Sequence, residues 1–207
     1  MAEDFSGFPR EAITFFKDLA RHNNRDWFLA HKQVYERACV QPMQQLTAAL
    51  EPRFGRSKIS RIYRDIRFST DKSPYKTHIS ASVGRHYVSL SASGLWVGGG
   101  MYMPDSQSLE RFRNAIADET SGRQLARLVV ALRKKGYDVS THDSLKSAPK
   151  GYTASHPRID LLRMKDLYAG KAFKPAAWLS TRLALNRVVK TMSDVKPLGD
   201  WMATHVG

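Results

Sequence analysis

The 207-residue sequence has a single cysteine, Cys39, which excludes an internal disulfide and any cysteine-based metal cluster. Its seven histidines show no HxH, HExxH or facial-triad spacing, so no metal site is expected. No apolar run approaches the ~20 residues needed to span a bilayer. The first residues, MAEDFSGFPREAITFF, carry acids where a signal peptide has a basic region ahead of an apolar one. The expectation is a cytoplasmic protein, in a reducing compartment, with no membrane partner. There is no GxSxG elbow, and Cys39, near the end of an amphipathic helix, reads as a small core residue and not a nucleophile. Gly98-Gly99-Gly100 lacks the Lys-Ser/Thr of a phosphate-binding loop and suits a close backbone approach along a strand. No cofactor is expected.

Acidic side chains are also scarce. The chain has 33 Lys+Arg against 19 Asp+Glu, a net charge of +14 and a pI near 10.1, a field that attracts anions. Residues 1–122 hold 17 basic and 13 acidic side chains and residues 123–207 hold 16 and 6, so along the chain the excess lies in the C-terminal part. The competing reading is that the charge serves only solubility.

Hydrophobic periodicity predicts an α+β fold, an antiparallel sheet of about four or five strands packed with N-terminal and C-terminal helices. A single domain is expected over 1–207, with a basic helical part from about 121. Residues 9–21 form a first amphipathic helix, with Ile13, Phe16, Leu19 and Ala20 on its inner stripe. A second helix follows, opened by Asn23 with Asp26 as a capping-box-like partner, and Pro42 is expected to end or kink it. From Lys58 to Phe68 the pattern alternates as a strand does, and HISASV and HYVSLSAS flank a Gly84-Arg85 hairpin turn. LWVGGGMYM adds a strand. Helices follow on Leu109, Phe112 and Ile116, and on Leu125 to Leu132 with a stop at Gly136. After a polar loop, Pro157–Leu167 and Ala176–Met192 are the remaining helix candidates.

The densest chemistry is in residues 61–78, RIYRDIRFSTDKSPYKTH, with five Arg/Lys, two aspartates, two tyrosines and a histidine. On a strand, Arg61, Tyr63, Asp65 and Arg67 share one face and Ile62, Arg64, Ile66 and Phe68 the other. Residues two apart lie about 6.6 Å from each other, so Asp65 and Arg67 can pair directly, while Arg61 or Arg67 could still turn a planar fork toward a ligand. Arg64, on the apolar face, needs a carboxylate, and Asp26 is the partner expected for a structural ion pair. Pro74 sets a turn, and Lys72, Tyr75, Lys76 and His78 crowd behind it. Such a mixture of guanidinium, ammonium, phenol and imidazole suits phosphate or carboxylate, while a solvated ion-pair lattice is the bland alternative.

These residues resemble a bacterial and fungal family of conserved hypothetical proteins, the domain of unknown function 2461, whose hallmark is RxxRDxRFxxDKxPYKTH. The match runs through Arg61, Arg64, Asp65, Arg67, Phe68, Asp71, Lys72, Pro74, Tyr75, Lys76, Thr77 and His78. NNRDWF (23–28) resembles the family's NNRxWF, and PKGYTASHPRIDLLRMK (149–165) its PKGYxxxHPxxxLLRxK. The resemblance implies no established activity. It does suggest one composite pocket, the motif as floor and Asn24, Arg25, Lys150, Tyr152 or His156 at the rim.

Two functional readings follow. In the first, Arg61, Arg67, Lys72, Lys76, Arg25 and Lys150 hold an anionic small molecule or nucleotide, while Asp65, Asp71, Tyr75 and His78 orient it or move protons. In the second, nucleic acid lies on the basic C-terminal helices, Arg123–Lys135 and Arg158–Lys190, and the motif is a structural lattice. A preformed concavity would mark the first, and steep salt dependence the second.

Overall fold

The computed structural model describes residues 4–67 and 70–207. Helix α1, Arg10–Arg21, starts after Pro9 and buries Ala12, Phe15, Phe16 and Leu19, an i, i+3, i+4, i+7 stripe. This stripe is rotated from the expected one, leaving Ala20 exposed. Helix α2 spans Arg25–Tyr35, a π-helical turn Glu36–Val40 follows, and α3 runs Gln41–Phe54. Pro42 thus sits in the first turn of α3, where its missing N–H costs least. The wider turn just ahead of it, with Gln41 N–H donating to Glu36 O, carries the chain past a residue that would crowd an ordinary helix. Cys39 is buried in that turn.

The fold is α+β, with a six-stranded sheet, one strand more than expected. The strands are β1 Ser57–Ile59, β2 His78–Val83, β3 His86–Ser91, β4 Gly94–Met101, β5 Asp138–Ser140 and β6 Leu167–Phe173. They lie in the order β1-β2-β3-β4-β6-β5. The β1–β2, β2–β3 and β5–β6 pairs are antiparallel. Val83 faces His86 across the β2–β3 turn, where Gly84 has φ +54°, a conformation that two-residue hairpins place on glycine.

The chain divides into two compact units, Met1–Val97 with Ala172–Lys190, and Gly98–Lys171 with Thr191–Gly207. The first contains α1 to α3, most of the N-terminal strands and a 3-10 turn, Ala177–Ser180. The second is built on α4 Ser106–Ala117, α5 Glu119–Lys134, the short α6 Ile159–Arg163 and the latter part of α7 Leu183–His205. Its core includes Phe112, Ile116, Leu125, Leu162, Leu198 and Trp201. Helix α5 stops as expected: Gly136, at φ +76°, donates to Arg133 O and Tyr137 N–H donates to Leu132 O, the paired bonds of a Schellman end. The last predicted helix is displaced, beginning at Leu183 and continuing to His205 through Pro197. No helix among the described residues is long and apolar enough to cross a membrane.

Folding regroups the charge. The first unit holds 19 basic and 9 acidic side chains, net +10, and the second 14 and 10, net +4. The surplus therefore belongs to the unit that carries residues 61–78, because Lys174, Arg182, Arg187 and Lys190 return to it with no acid among residues 172–190.

Candidate functional site

Residues 61–67 alternate in exposure as expected, with Arg61, Tyr63, Asp65 and Arg67 outward and Ile62, Arg64 and Ile66 inward. They are nevertheless not a strand; Phe68 lies outside the described residues. Pairing is confined to one bridge, Tyr63 opposite Tyr75, with Arg64 N–H donating to Pro74 O at 2.9 Å and Lys76 N–H to Ile62 O at 2.8 Å. The aspartates explain the rest. Asp65 accepts from the Arg67 amide at 3.3 Å and Asp71 from the Ser73 amide at 2.9 Å, local bonds that compete with a ladder.

The loop is pinned to the start of α2. Asn24, not Asn23, caps that helix, accepting from Trp27 N–H at 3.0 Å, and Asn23 is released for a tertiary role. Its amide donates to Tyr75 O at 2.9 Å and accepts from Tyr75 N–H at 3.1 Å. Phe28, one turn into α2, stacks on the Tyr75 ring with centroids 4.1 Å apart and planes 20° from parallel. Tyr75 is only 3 % exposed, and burial, then Tyr63, raises its hydroxyl above the usual phenol range, so it stays protonated.

Two ion pairs organise the loop. Arg67 forks onto Asp65, Nε to Oδ1 at 2.9 Å and Nη2 to Oδ2 at 2.7 Å, as expected. Arg64 pairs with Asp71 and not with Asp26, which is exposed at the start of α2. The Asx turn at Asp71 brings that carboxylate back over Arg64, whose side chain keeps 30 % of its surface and so needs no deeply buried partner. Hydrogen bonds from Ser73, then Arg64, hold Asp71 down at about 2; those from Arg67 hold Asp65 low. Both are acceptors at neutral pH. Lys72 Nζ donates to Ile66 O at 3.1 Å, closing the loop. Arg61 and Arg25 are exposed and Lys76 is half-buried. His78, half-buried at the head of β2, is lowered below its ordinary value by burial first, then by the charges of Lys76 and Arg64.

The C-terminal signature lies in the second unit and has a structural explanation there. Arg158, with a side chain 9 % exposed, donates from Nε to Ile116 O at 2.7 Å and from Nη2 to Ala117 O and Glu119 Oε2, each at 3.0 Å. Its fork caps the carbonyls that end α4. His156 Nδ1 accepts from Arg158 N–H at 3.1 Å, and Tyr152 hydroxyl donates to Asn114 Oδ1 at 3.0 Å. Lys150 is exposed. Composition ranks Arg158 with the phosphate-binding candidates, and only the carbonyls around it identify a cap.

Clefts in each unit are formed by described residues. One, of about 290 Å³, lies between Gly7, Arg37, Gln41 and Ser180 in the first unit; the other, of about 460 Å³, lies between Arg111, Asn114, Gln124 and His205 in the second. Neither is lined by residues 61–78. No group of three or more His, Cys, Asp or Glu among the described residues could hold a metal ion.

Compared with known families, residues 11–201 match the family described as conserved hypothetical protein DUF2461. The chain belongs to the DUF2461 family. No curated protein and no solved structure matches it. In this DUF2461 chain the motif, the NNRDWF segment and the PKGY segment all lie inside the matched residues. The first two meet at Asn23, Phe28 and Tyr75, and the third organises the α4–α5 junction of its own unit.

Proposed function

We propose that the loop 61–78 of this DUF2461 protein binds a small phosphate- or carboxylate-bearing molecule. The carrying observation is local charge balance. The motif contains only two carboxylates, Asp65 and Asp71, and its own Arg67 and Arg64 occupy both. Arg61, Lys72 and Lys76 are three cations in excess of those two carboxylates, with Arg61 acting on the already paired Asp65 only as a further nearby charge, in a unit with net charge +10. The positive field is felt at His78, where Lys76 and Arg64 disfavour the imidazolium, and at Tyr75, where Arg25 acts.

On this reading Arg64 and Arg67 are scaffold, each held by a carboxylate, and Arg61, Arg25 and Lys76 supply the anion contacts. A guanidinium offers a planar fork and Lys76 a point charge. If a proton moves, His78 takes it, because Asp65 and Asp71 are held ionised and Tyr75 is held neutral. The regrouped charge weighs against Arg123–Lys135 as the main anion surface, since its unit holds 14 basic and 10 acidic side chains, whereas Lys174, Arg182, Arg187 and Lys190 belong to the same unit as the motif.

The test is thermal stabilisation of the full chain by phosphate, nucleotides, sugar phosphates, dicarboxylates and short nucleic acids at two salt concentrations, in wild type and in Arg61→Ala. A ligand at ~100 times its Kd adds about 2.7 kcal/mol. Selective stabilisation by a small anion, lost in folded Arg61→Ala, supports the site. Stabilisation only by nucleic acid, steeply salt-dependent and indifferent to Arg61, overturns it.

A further inference from the structure

A second cluster of chemical groups lies in the other unit, apart from the DUF2461 motif. Asp166, just ahead of β6, has a side chain only 4 % exposed. Its Oδ1 accepts from Thr141 Oγ1 at 2.7 Å and from the His142 amide at 2.8 Å, and its Oδ2 lies 2.9 Å from His142 Nδ1. The imidazole is 48 % exposed. Two rings flank it, Tyr102 at 4.7 Å and 82°, and Tyr168 at 4.6 Å and 40°. Tyr102 is 66 % and the adjoining Met103 72 % exposed, and Met103 has a positive φ of 43°, a strained conformation for an unbranched residue outside glycine.

An ionised carboxylate beside Nδ1 requires the proton on that nitrogen, so the neutral ring presents Nε2 as an acceptor. Loop anchoring does not account for the arrangement. The 141–145 segment is already tied to 163–166 by a Ser144–Met164 bridge, by Leu145 N–H donating to Arg163 O and by Lys165 N–H donating to Asp143 O. Burying a carboxylate is costly, and here its second oxygen faces the Nδ1 of a half-exposed imidazole. At the cluster itself both carboxylates are matched, Asp143 by Lys165 and Asp166 by His142.

We propose that this unit carries a second site, in which His142, positioned by Asp166, accepts a hydrogen bond or proton at Nε2 from an uncharged ring ligand resting on Tyr102 and Tyr168. The required chemistry is a ring face for the tyrosines together with an N–H or O–H edge for the imidazole. Nucleosides and sugars both have it. If the ligand is turned over, the O–H or N–H bond breaks as Nε2–H forms, and the buried carboxylate stabilises the imidazolium.

Nitrogen-15 imidazole spectra of the full chain read the tautomer directly. For the neutral ring the expected result is the Nδ1–H tautomer, which Asp166→Asn converts toward the Nε2–H form. Titrations with adenosine and uridine, and separately with methyl glycosides, then distinguish the two ligand sources. The expected outcome is saturable shifts at the His142 ring in one arm, about tenfold weaker in Tyr102→Ala, the loss of one stacking surface; as an exposed position, Tyr102 leaves the fold intact. A wild-type Nε2–H tautomer, or no perturbation by either class, overturns the proposal.

Discussion

The side-chain amide of Asn23 and the peptide group of Tyr75 form a two-point hydrogen-bonded pair across 52 residues of sequence. With the Phe28–Tyr75 stack, this pair fixes where the 61–78 loop leaves the sheet. Asn23→Ala removes a donor and an acceptor from a half-buried peptide, a cost on the order of 2 kcal/mol. Asn23→Asp keeps the acceptor but sets a carboxylate oxygen against Tyr75 O, and should cost at least as much at pH 7. Urea denaturation checks both, and amide exchange at Tyr75 should accelerate in each. An unchanged midpoint would remove the pair from the account of how the motif is held.

Arg158 provides a second test, in the other unit. Its buried guanidinium satisfies the end of α4 and reaches Glu119. Arg158→Lys replaces a planar fork with one ammonium and should destabilise by about 1–3 kcal/mol, and Arg158→Met by more, because main-chain carbonyls lose their donors. Anion binding at 61–78 should be unaffected in both. Loss of binding at unchanged stability would make Arg158 a ligand contact and not a cap.

The contrast between these two arginine-rich segments shows what was readable in the sequence. Periodicity located α1, α4 and α5, and Gly84-Arg85 located the hairpin, because each signal is local. Strand β5 is three residues long and β6 has Gly170 and Lys171 inside it, so neither presents a legible alternation. The residue types at 61–78 pointed to an anion site, with an ion-pair lattice as the alternative, and put Asp65 within pairing reach of Arg67. The choice of Asp71 over Asp26 for Arg64 depends on the path of the chain between them, which with the Asx turn at Asp71 sets that carboxylate over Arg64 and which residue types alone do not show. Likewise, the charge excess counted along the chain does not follow the folded units, since the path returns Ala172–Lys190 to the N-terminal unit.

Glycine positions give a clean pair of substitutions. At Gly84, φ is +54° and a Cβ would lie 2.0 Å from Phe54 O, so Gly84→Ala meets backbone that cannot rotate away. At Gly136, φ is +76° and the nearest atom is the flexible Lys171 Nζ at 4.0 Å. Gly136→Ala should cost only the left-handed penalty, about 1 kcal/mol, and Gly84→Ala clearly more, with loss of protection in β2 and β3. Equal melting temperatures for the two variants would contradict this ordering.

The pH dependence of His78 joins stability to the proposed ligand. Its folded value is depressed below 6.5, by burial and then by Lys76 and Arg64, so the unfolded chain takes up a proton that the folded one resists. Stability should therefore fall as pH drops from 6.5 toward the folded value and level off below it. His78→Gln should flatten that part of the profile. An anion held by Arg61 and Lys76 would offset the local positive field and raise His78 toward its ordinary value. Proton NMR titration with and without phosphate reads this at the residue itself. An upward shift that vanishes in Arg61→Ala places the anion beside His78. A shift that survives in Arg61→Ala, or a His78 that ignores every small anion, leaves the loop as a structural lattice whose positive field serves no ligand.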